Sequence, residues 1–323
     1  MFKPLLNKFV IALAFAGAMS VVSCDNEDIL GDDETNDKTG YRAPTATSKI
    51  AVDKVYEYTP APGQFINQTV KGMEWTDKTT PDEAAKWALS RLNDNLYVSL
   101  GSFGGYIIAG FDHSIANTGK NYEIGVLGNA FNSPAGDSNE PGIVYVMQDT
   151  NGNGLPDDTW YELKGSATAD NSTIRNYSVT YYKPMEEGQA VRWTDNYGNE
   201  GEVPYMGMFH DQPHYYPVWV NASTYTLTGT RLEAKTTRLE SGNWSNAAFG
   251  WGYADNIGED NVEWNGSTNC NRFRINDAID ADGKPVKLEY IDFVKVQTGV
   301  MSKAGPLGEV STEILGIVDL TLK

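Results

Sequence analysis

The residues best placed to do chemistry lie between Gly142 and Leu163, in the stretch GIVYVMQDTNGNGLPDDTWYEL. Asp149, Asn151 and Asn153 occupy alternate positions, and Gly154 follows. That is the first half of a calcium loop of the EF-hand type, with oxygen ligands at positions 1, 3 and 5 before a glycine at the sharp turn. The carbonyl of Leu155 falls at position 7 and Asp157 at position 9. Position 12 normally holds a bidentate glutamate but is Trp160 here, so Asp158 or the more distant Glu162 has to supply the missing carboxylate. Every candidate donor is an oxygen and no His or Cys is near, which favours a hard cation, Ca2+. A solvated turn is the alternative, because Asn-Gly and Asp-Asp are ordinary turn residues. The flanks read as strands, so an ion here would pin a loop and be structural.

Other constellations are weaker. His210-Asp-Gln-Pro-His214 sets two imidazoles four residues apart, but Pro213 argues against a helix that would align them. Zinc there would need a third ligand, for which Asp211 is the local candidate; a turn that packs its imidazoles is the plainer reading. No HExxH, GxSxG, CxxC, P-loop or dinucleotide fingerprint occurs. The 43 acidic residues allow many carboxylate pairs, and nothing selects one for glycoside hydrolysis.

Binding has more support. Tyr205–Trp219 and Asn243–Asp255, followed by Trp264, are dense in aromatic residues and punctuated by glycine. Flat rings beside amides suit a sugar ring or an amide-fringed macrocycle. The candidate contacts are Tyr205, Phe209, His210, His214, Tyr215, Trp244, Trp251 and Trp264. Aromatic residues also fill sandwich cores, so at least half of these rings are expected to be structural. Tyr216, Val218 and Val220 alternate like a core-facing strand, which puts Trp219 on the opposite face, while Tyr215 and Trp244 are expected to be exposed.

These residues must be held by β structure. Strands are expected at Ile50–Tyr58, Leu96–Leu100, Tyr106–Phe111, Tyr122–Leu127, Ile143–Met147, Thr159–Leu163 and Asn176–Lys183. Further strands are expected at Tyr215–Val220, Tyr225–Leu227, Arg231–Ala234, within Val286–Val296 and at Ile314–Leu322. One helix is expected, capped by Thr80, with Pro81 at its first position and Glu83 three residues after the cap, running to about Asn93. Many short strands, 32 glycines and 14 prolines argue for a mainly β chain, an antiparallel sandwich of jelly-roll type.

Lys3 and Lys8 precede an apolar stretch, Phe9–Val22, that closes on Val-Val-Ser-Cys24. This reads as a lipoprotein signal peptide over residues 1–23, with Cys24 the lipidated first residue of the mature chain. Residues 24–47 read as a flexible acidic tether and residues 48–323 as the ligand-binding domain. The net charge of −18 becomes −20 once Lys3 and Lys8 leave with the leader. Such a surface repels nucleic acid and anionic headgroups. With Cys24 lipidated, Cys270 has no intramolecular disulfide partner, so stability must come from core burial.

Five stretches carry a resemblance: Ser99–Asp112 (SLGSFGGYIIAGFD), Asn121–Phe131 (NYEIGVLGNAF), Glu140–Val144 (EPGIV), Phe249–Asp255 (FGWGYAD) and Ile291–Gly299 (IDFVKVQTG). Together they resemble cell-surface lipoproteins of gut Bacteroidetes with a jelly-roll domain, over nearly everything from Val55 to Asp319. Members of that group are often encoded beside outer-membrane uptake systems for cobalamin, and some related lipoproteins bind the vitamin. The acidic run after Cys24 is similar to the surface-export signal of such lipoproteins. The resemblance implies an outer-membrane, outward-facing anchor, a corrinoid ligand and a TonB-dependent transporter as partner. It carries over no contact residue. The expected function is therefore non-enzymatic capture of cobalamin or a related corrinoid, with a glycan-binding lipoprotein, a glycan-active hydrolase and a structural adhesin as alternatives.

Overall fold

The computed structural model describes residues 40–68, 75–76, 78–119, 121–266 and 268–322. The expected leader, Cys24 and the tether up to residue 39 lie outside these residues. Two antiparallel sheets form the sandwich. One has six strands in the order Lys54–Thr59, Tyr106–Ala116, Tyr290–Thr298, Gly142–Met147, Tyr161–Leu163, Ala278–Ile279. The other has five, ordered Asn261–Trp264, Thr268–Phe273, Ile124–Gly128, Glu313–Asp319, Val98–Ser99. Their facing sides share one core, with Ile107, Ala109, Val144, Val146, Val294 and Val296 from the first sheet and Val98, Val126, Ile314 and Ile317 from the second. The expected antiparallel β-sandwich with a single helix is the fold observed.

The strand before the acidic loop shows why its sequence is a continuous apolar run. Val144 and Val146 enter the central core, while Ile143 and the partly buried Tyr145 pack on the other side with Phe249, Tyr253 and Val300. A strand buried on both faces loses the polar alternation of a half-exposed one. Ile174–Tyr182 does alternate. Tyr177, Val179 and Tyr181 are buried, and the outward Ser178 and Thr180 hydroxyls pair at 2.7 Å with Thr228 and Thr226 across the strand pair. This strand lies in a further four-stranded sheet with Thr224–Arg231, Val191–Asp195 and Glu200–Val203.

The helix spans Pro81–Asn93, with the expected capping box between Thr80 and Glu83 and with Ala84, Ala88 and Leu92 buried. Tyr215–Val220 forms no strand, which corrects the expectation for that segment. Tyr215, Tyr216 and Trp219 are all buried there, so the anticipated split between two faces does not exist. Trp219 is stacked on Trp75 at 4.6 Å and tilted against Tyr58 at 5.7 Å, contacts that no local periodicity announces.

The expected tether also ends earlier than residue 47. The Arg42 amide donates to Ser114 Oγ at 2.9 Å, and its carbonyl accepts from the Ser114 amide at 2.8 Å. Its guanidinium reaches Phe111 O at 3.2 Å and Asp292 Oδ1 at 3.2 Å. Asp292 is fully buried. Burial holds its carboxyl above the usual range in spite of the Ser114 hydroxyl, the Asp149 amide and Arg42, which all favour the charged form. A buried charge demands such a partner, and that demand draws the chain onto the sandwich from Gly40 onward. Gly40 itself has φ +96°, and a Cβ there would meet the Asp149 carbonyl at 2.5 Å. Replacing Arg42 by Ala removes the one cationic partner Asp292 has among the described residues and is expected to destabilise by about 2 kcal/mol, less than for a fully buried pair. Chemical denaturation measures it; unchanged stability would show that Ser114 and the Asp149 amide satisfy Asp292 unaided.

Candidate functional site

The acidic loop is pinned from three sides. The Asp149 amide donates to Asp292 Oδ2 at 2.8 Å, Tyr290 Oη donates to the Asp149 carbonyl at 3.2 Å, and Tyr56 Oη donates to the Gly154 carbonyl at 3.1 Å. Asp149 is buried, and its carboxylate gathers the loop inward. Oδ1 accepts from the amides of Gly152 and Asn153 at 2.7 and 3.2 Å, and Oδ2 from that of Gly154 at 2.8 Å. Gly154 has φ +73°, the left-handed turn its position requires. Asn151 and Asn153 both turn their side-chain amides to the Asp157 carboxylate, at 3.2 Å and at 3.0–3.2 Å. Four of the sequence candidates, Asp149, Asn151, Asn153 and Asp157, are thus tied together in one loop. Leu155 donates its backbone amide to Asn153 Oδ1 at 2.8 Å. Asp158 is engaged elsewhere, accepting from the Thr150 amide at 3.1 Å and from the Thr150 hydroxyl.

The aromatic and histidine candidates do not share one surface. Phe209, His210 and His214 line a cavity of about 910 Å³ together with Trp75, Tyr216, Asn67 and Gln68. Phe209 is 63 % exposed, whereas His210 sits edge-on to Phe65 at 4.6 Å. Burial lowers the His210 pKa, against the pull of Asp211, and so favours the neutral imidazole. Tyr215 is fully buried, against the expectation of exposure. Its hydroxyl accepts from the Met206 amide at 3.0 Å and donates to the His210 carbonyl at 2.9 Å, so it shapes the segment that presents His210. Tyr205 packs on Tyr215 with ring centroids 4.9 Å apart. Trp251 lines a different cavity, of about 650 Å³. Trp244 lies against Gly305, where a Cβ would come within 2.3 Å of its Nε1. Trp264 packs on the small cluster of Leu127, Cys270 and Val318.

Asn67, Gln68 and Trp75 were missed by sequence reasoning. Asn67 holds the wall of the larger cavity, donating to the carbonyls of His214 and Tyr216 at 2.7 and 2.9 Å and accepting from the Val218 amide at 3.1 Å. Its φ of +66° suits an asparagine in the left-handed region. Trp75 carried one signal, a large aromatic in a stretch with no strand or helix pattern.

Three carboxyl groups meet at another place. Among the described residues, the one group of three His, Cys, Asp or Glu side chains with ligand atoms within 4.8 Å of one another is Glu140, Asp255 and Glu313. The His210, Asp211 and His214 arrangement considered for zinc does not meet that distance. Burial first, then mutual repulsion, raises Glu140 and Asp255 well above the ordinary carboxyl range. Burial pushes Glu313 up to about 7. Burial and mutual repulsion thus favour the neutral form of these carboxyl groups, the form least suited to holding a cation.

Nearby in sequence, Glu309 is buried, with Oε1 accepting from the Gln64 amide at 2.7 Å and Oε2 without a partner. Burial pushes this carboxyl from 4.5 to about 8. The folded chain therefore keeps a proton that the unfolded chain releases near its ordinary pKa. Its contribution to stability is complete below about pH 4.5 and is lost as pH rises through about 8. Melting temperature is expected to fall between pH 5 and pH 8.5, and Glu309→Gln to flatten part of that slope. A variant with the wild-type slope would show that Glu309 titrates normally.

Compared with family models and with curated proteins, the sequence matches none.

Proposed function

We propose that the chain is a lipoprotein anchored through Cys24 to the outer membrane and facing the exterior. In this reading it captures a bulky, nearly neutral ligand without transforming it. Cobalamin or a related corrinoid is the first candidate, passed on to a TonB-dependent transporter. The observation that carries the reading is the larger cavity. Its volume of about 910 Å³ suits part of a macrocycle, and its wall mixes the rings of Trp75, Phe209, His210 and Tyr216 with the amides of Asn67 and Gln68. Rings give stacking area, and a neutral His210 adds a donor or acceptor without a charge to desolvate. Isothermal titration of the purified protein with cyanocobalamin should give saturable heat and a co-migrating red chromophore. Phe209→Ala and His210→Ala should each weaken binding roughly tenfold, about 1.4 kcal/mol. Absence of heat, or full affinity in both variants, would count against this cavity as a corrinoid site.

The reading includes a structural calcium ion on the loop from Asp149 to Asp157. The donors fit a hard cation. Asp149 and Asp157 bring charge, and Asn151 and Asn153 bring side-chain oxygens once their amide donors no longer serve Asp157. The loop is anchored on two strands through Tyr56 and Tyr290, which favours pinning over a conformational switch. Calcium should raise the melting temperature, EDTA should reverse the rise, and Asp157→Ala should abolish it while leaving melting in EDTA unchanged. Identical melting with calcium and with EDTA would remove the ion from the account.

A further inference from the structure

The cavity beside Trp251 shares no residue with the larger one. Its volume is about 650 Å³, and three basic side chains, Lys164, Arg272 and Arg274, share its wall with the carboxyl groups of Glu259, Asp260 and Asp277. Arg272 and Arg274 stand two apart at the end of the Thr268–Phe273 strand, so both side chains leave the sheet on one face. Their guanidinium carbons lie 4.4 and 4.1 Å from the centroid of the same ring, Tyr122. Among the described residues, neither has a carboxylate within ion-pair distance. Arg272 Nε donates to the Asp260 carbonyl at 3.1 Å, and the guanidinium of Arg274 makes no hydrogen bond. Lys164, by contrast, is paired with Asp277 at 3.2 Å. Asp260 offsets part of the Arg272 charge, but Arg274 has no acidic partner among the described residues. An anion within reach of both guanidinium groups would match their planar forks.

The rest of the wall says what kind of anion. The partly exposed indole of Trp251 has no ring partner among the described residues and is free to stack on a flat face. Glu259 is exposed at the rim, and its carboxylate has no ion pair or hydrogen bond. It accepts hydroxyl donors but repels a second negative charge on the same ligand. A phosphate dianion therefore fits poorly, and a neutral sugar leaves the guanidinium pair unmatched. A ring with one carboxylate and several hydroxyls fits all three features.

We propose that this cavity binds a uronic acid unit of an acidic oligosaccharide. Arg272 and Arg274 clamp its carboxylate, Trp251 stacks on the ring, and Glu259 takes hydroxyl hydrogen bonds. The site is independent of whatever occupies the larger cavity.

Calorimetric titration of the purified protein with tetragalacturonate and with a glucuronate-containing tetrasaccharide tests this, beside neutral tetrasaccharides of matching linkage and inorganic phosphate. At least one acidic oligosaccharide should bind at least tenfold more tightly than its neutral counterpart, and binding should weaken with added salt. Arg274→Met and Trp251→Ala should each reduce that affinity tenfold or more, with melting temperatures confirming that both variants fold. Heat from neither uronate would overturn the proposal, as would equal binding of the neutral sugar or phosphate competing as well as the uronate. Full affinity in folded Arg274→Met would overturn it too.

Discussion

One buried carboxylate organises the region on which the acidic loop depends. Asp292 lies inside the six-stranded sheet, where an isolated charge is prohibitively costly. It therefore collects the Ser114 hydroxyl at 2.5 Å, the Asp149 amide and the Arg42 guanidinium. Each partner belongs to a different part of the chain: the segment before the first strand, the long Tyr106–Ala116 strand and the loop after Gly142–Met147. Through Asp292 the entry of the domain and the start of the acidic loop share one network. A loop held this way at its root, and at Gly154 by Tyr56, keeps its backbone fixed on two strands.

The two cavities use the same composition for different chemistry. Around the larger one, aromatic rings and amides dominate, and the neutral His210 adds no charge. Around the smaller one, Arg272 and Arg274, outside any ion pair among the described residues, lie against the ring of Tyr122, beside the carboxyl groups of Glu259, Asp260 and Asp277. An overall negative charge permits a local cationic pair, because screening confines fields of this kind to about a Debye length. Both cavities are walled largely by connections between strands, with Leu163 and Phe273 of the central core reaching the smaller one. A rigid sandwich can thus carry cavities whose walls the packing of its sheets constrains little.

Buried carboxyls recur elsewhere. Glu140, Asp255 and Glu313 lie close together, and Asp255 adopts φ +52° while its Oδ1 accepts from the amides of Asn129 and Ala130 at 3.0 and 2.8 Å. Its Oδ2 accepts from the Glu313 amide at 3.0 Å. The group closes the end of the core where the Ile124–Gly128 and Glu313–Asp319 strands meet the residues leading into Gly142–Met147. Polar atoms at such a junction replace backbone partners that the sheets cannot supply.

What the linear chain determined was local. Thr80, Pro81 and Glu83 specify a helix start because a capping box forms within four residues. Asp149, Asn151, Asn153 and Gly154 specify a loop because their hydrogen bonds close on near neighbours. The alternation of Tyr177, Val179 and Tyr181 specifies a half-buried strand. Short strands such as Val191–Asp195 and Asn261–Trp264 escaped notice, since they take their stability from neighbouring strands more than from their own pattern. Tertiary structure alone decided the fate of the aromatic rings. Tyr215 is buried because Met206 and His210 close over its hydroxyl, and Trp219 because Trp75 and Tyr58 pack on it. Phe209 and Trp251 are left facing cavities, while Trp264 is packed away. Whether a ring binds or fills is set by partners distant in sequence, and its own identity and spacing do not encode them.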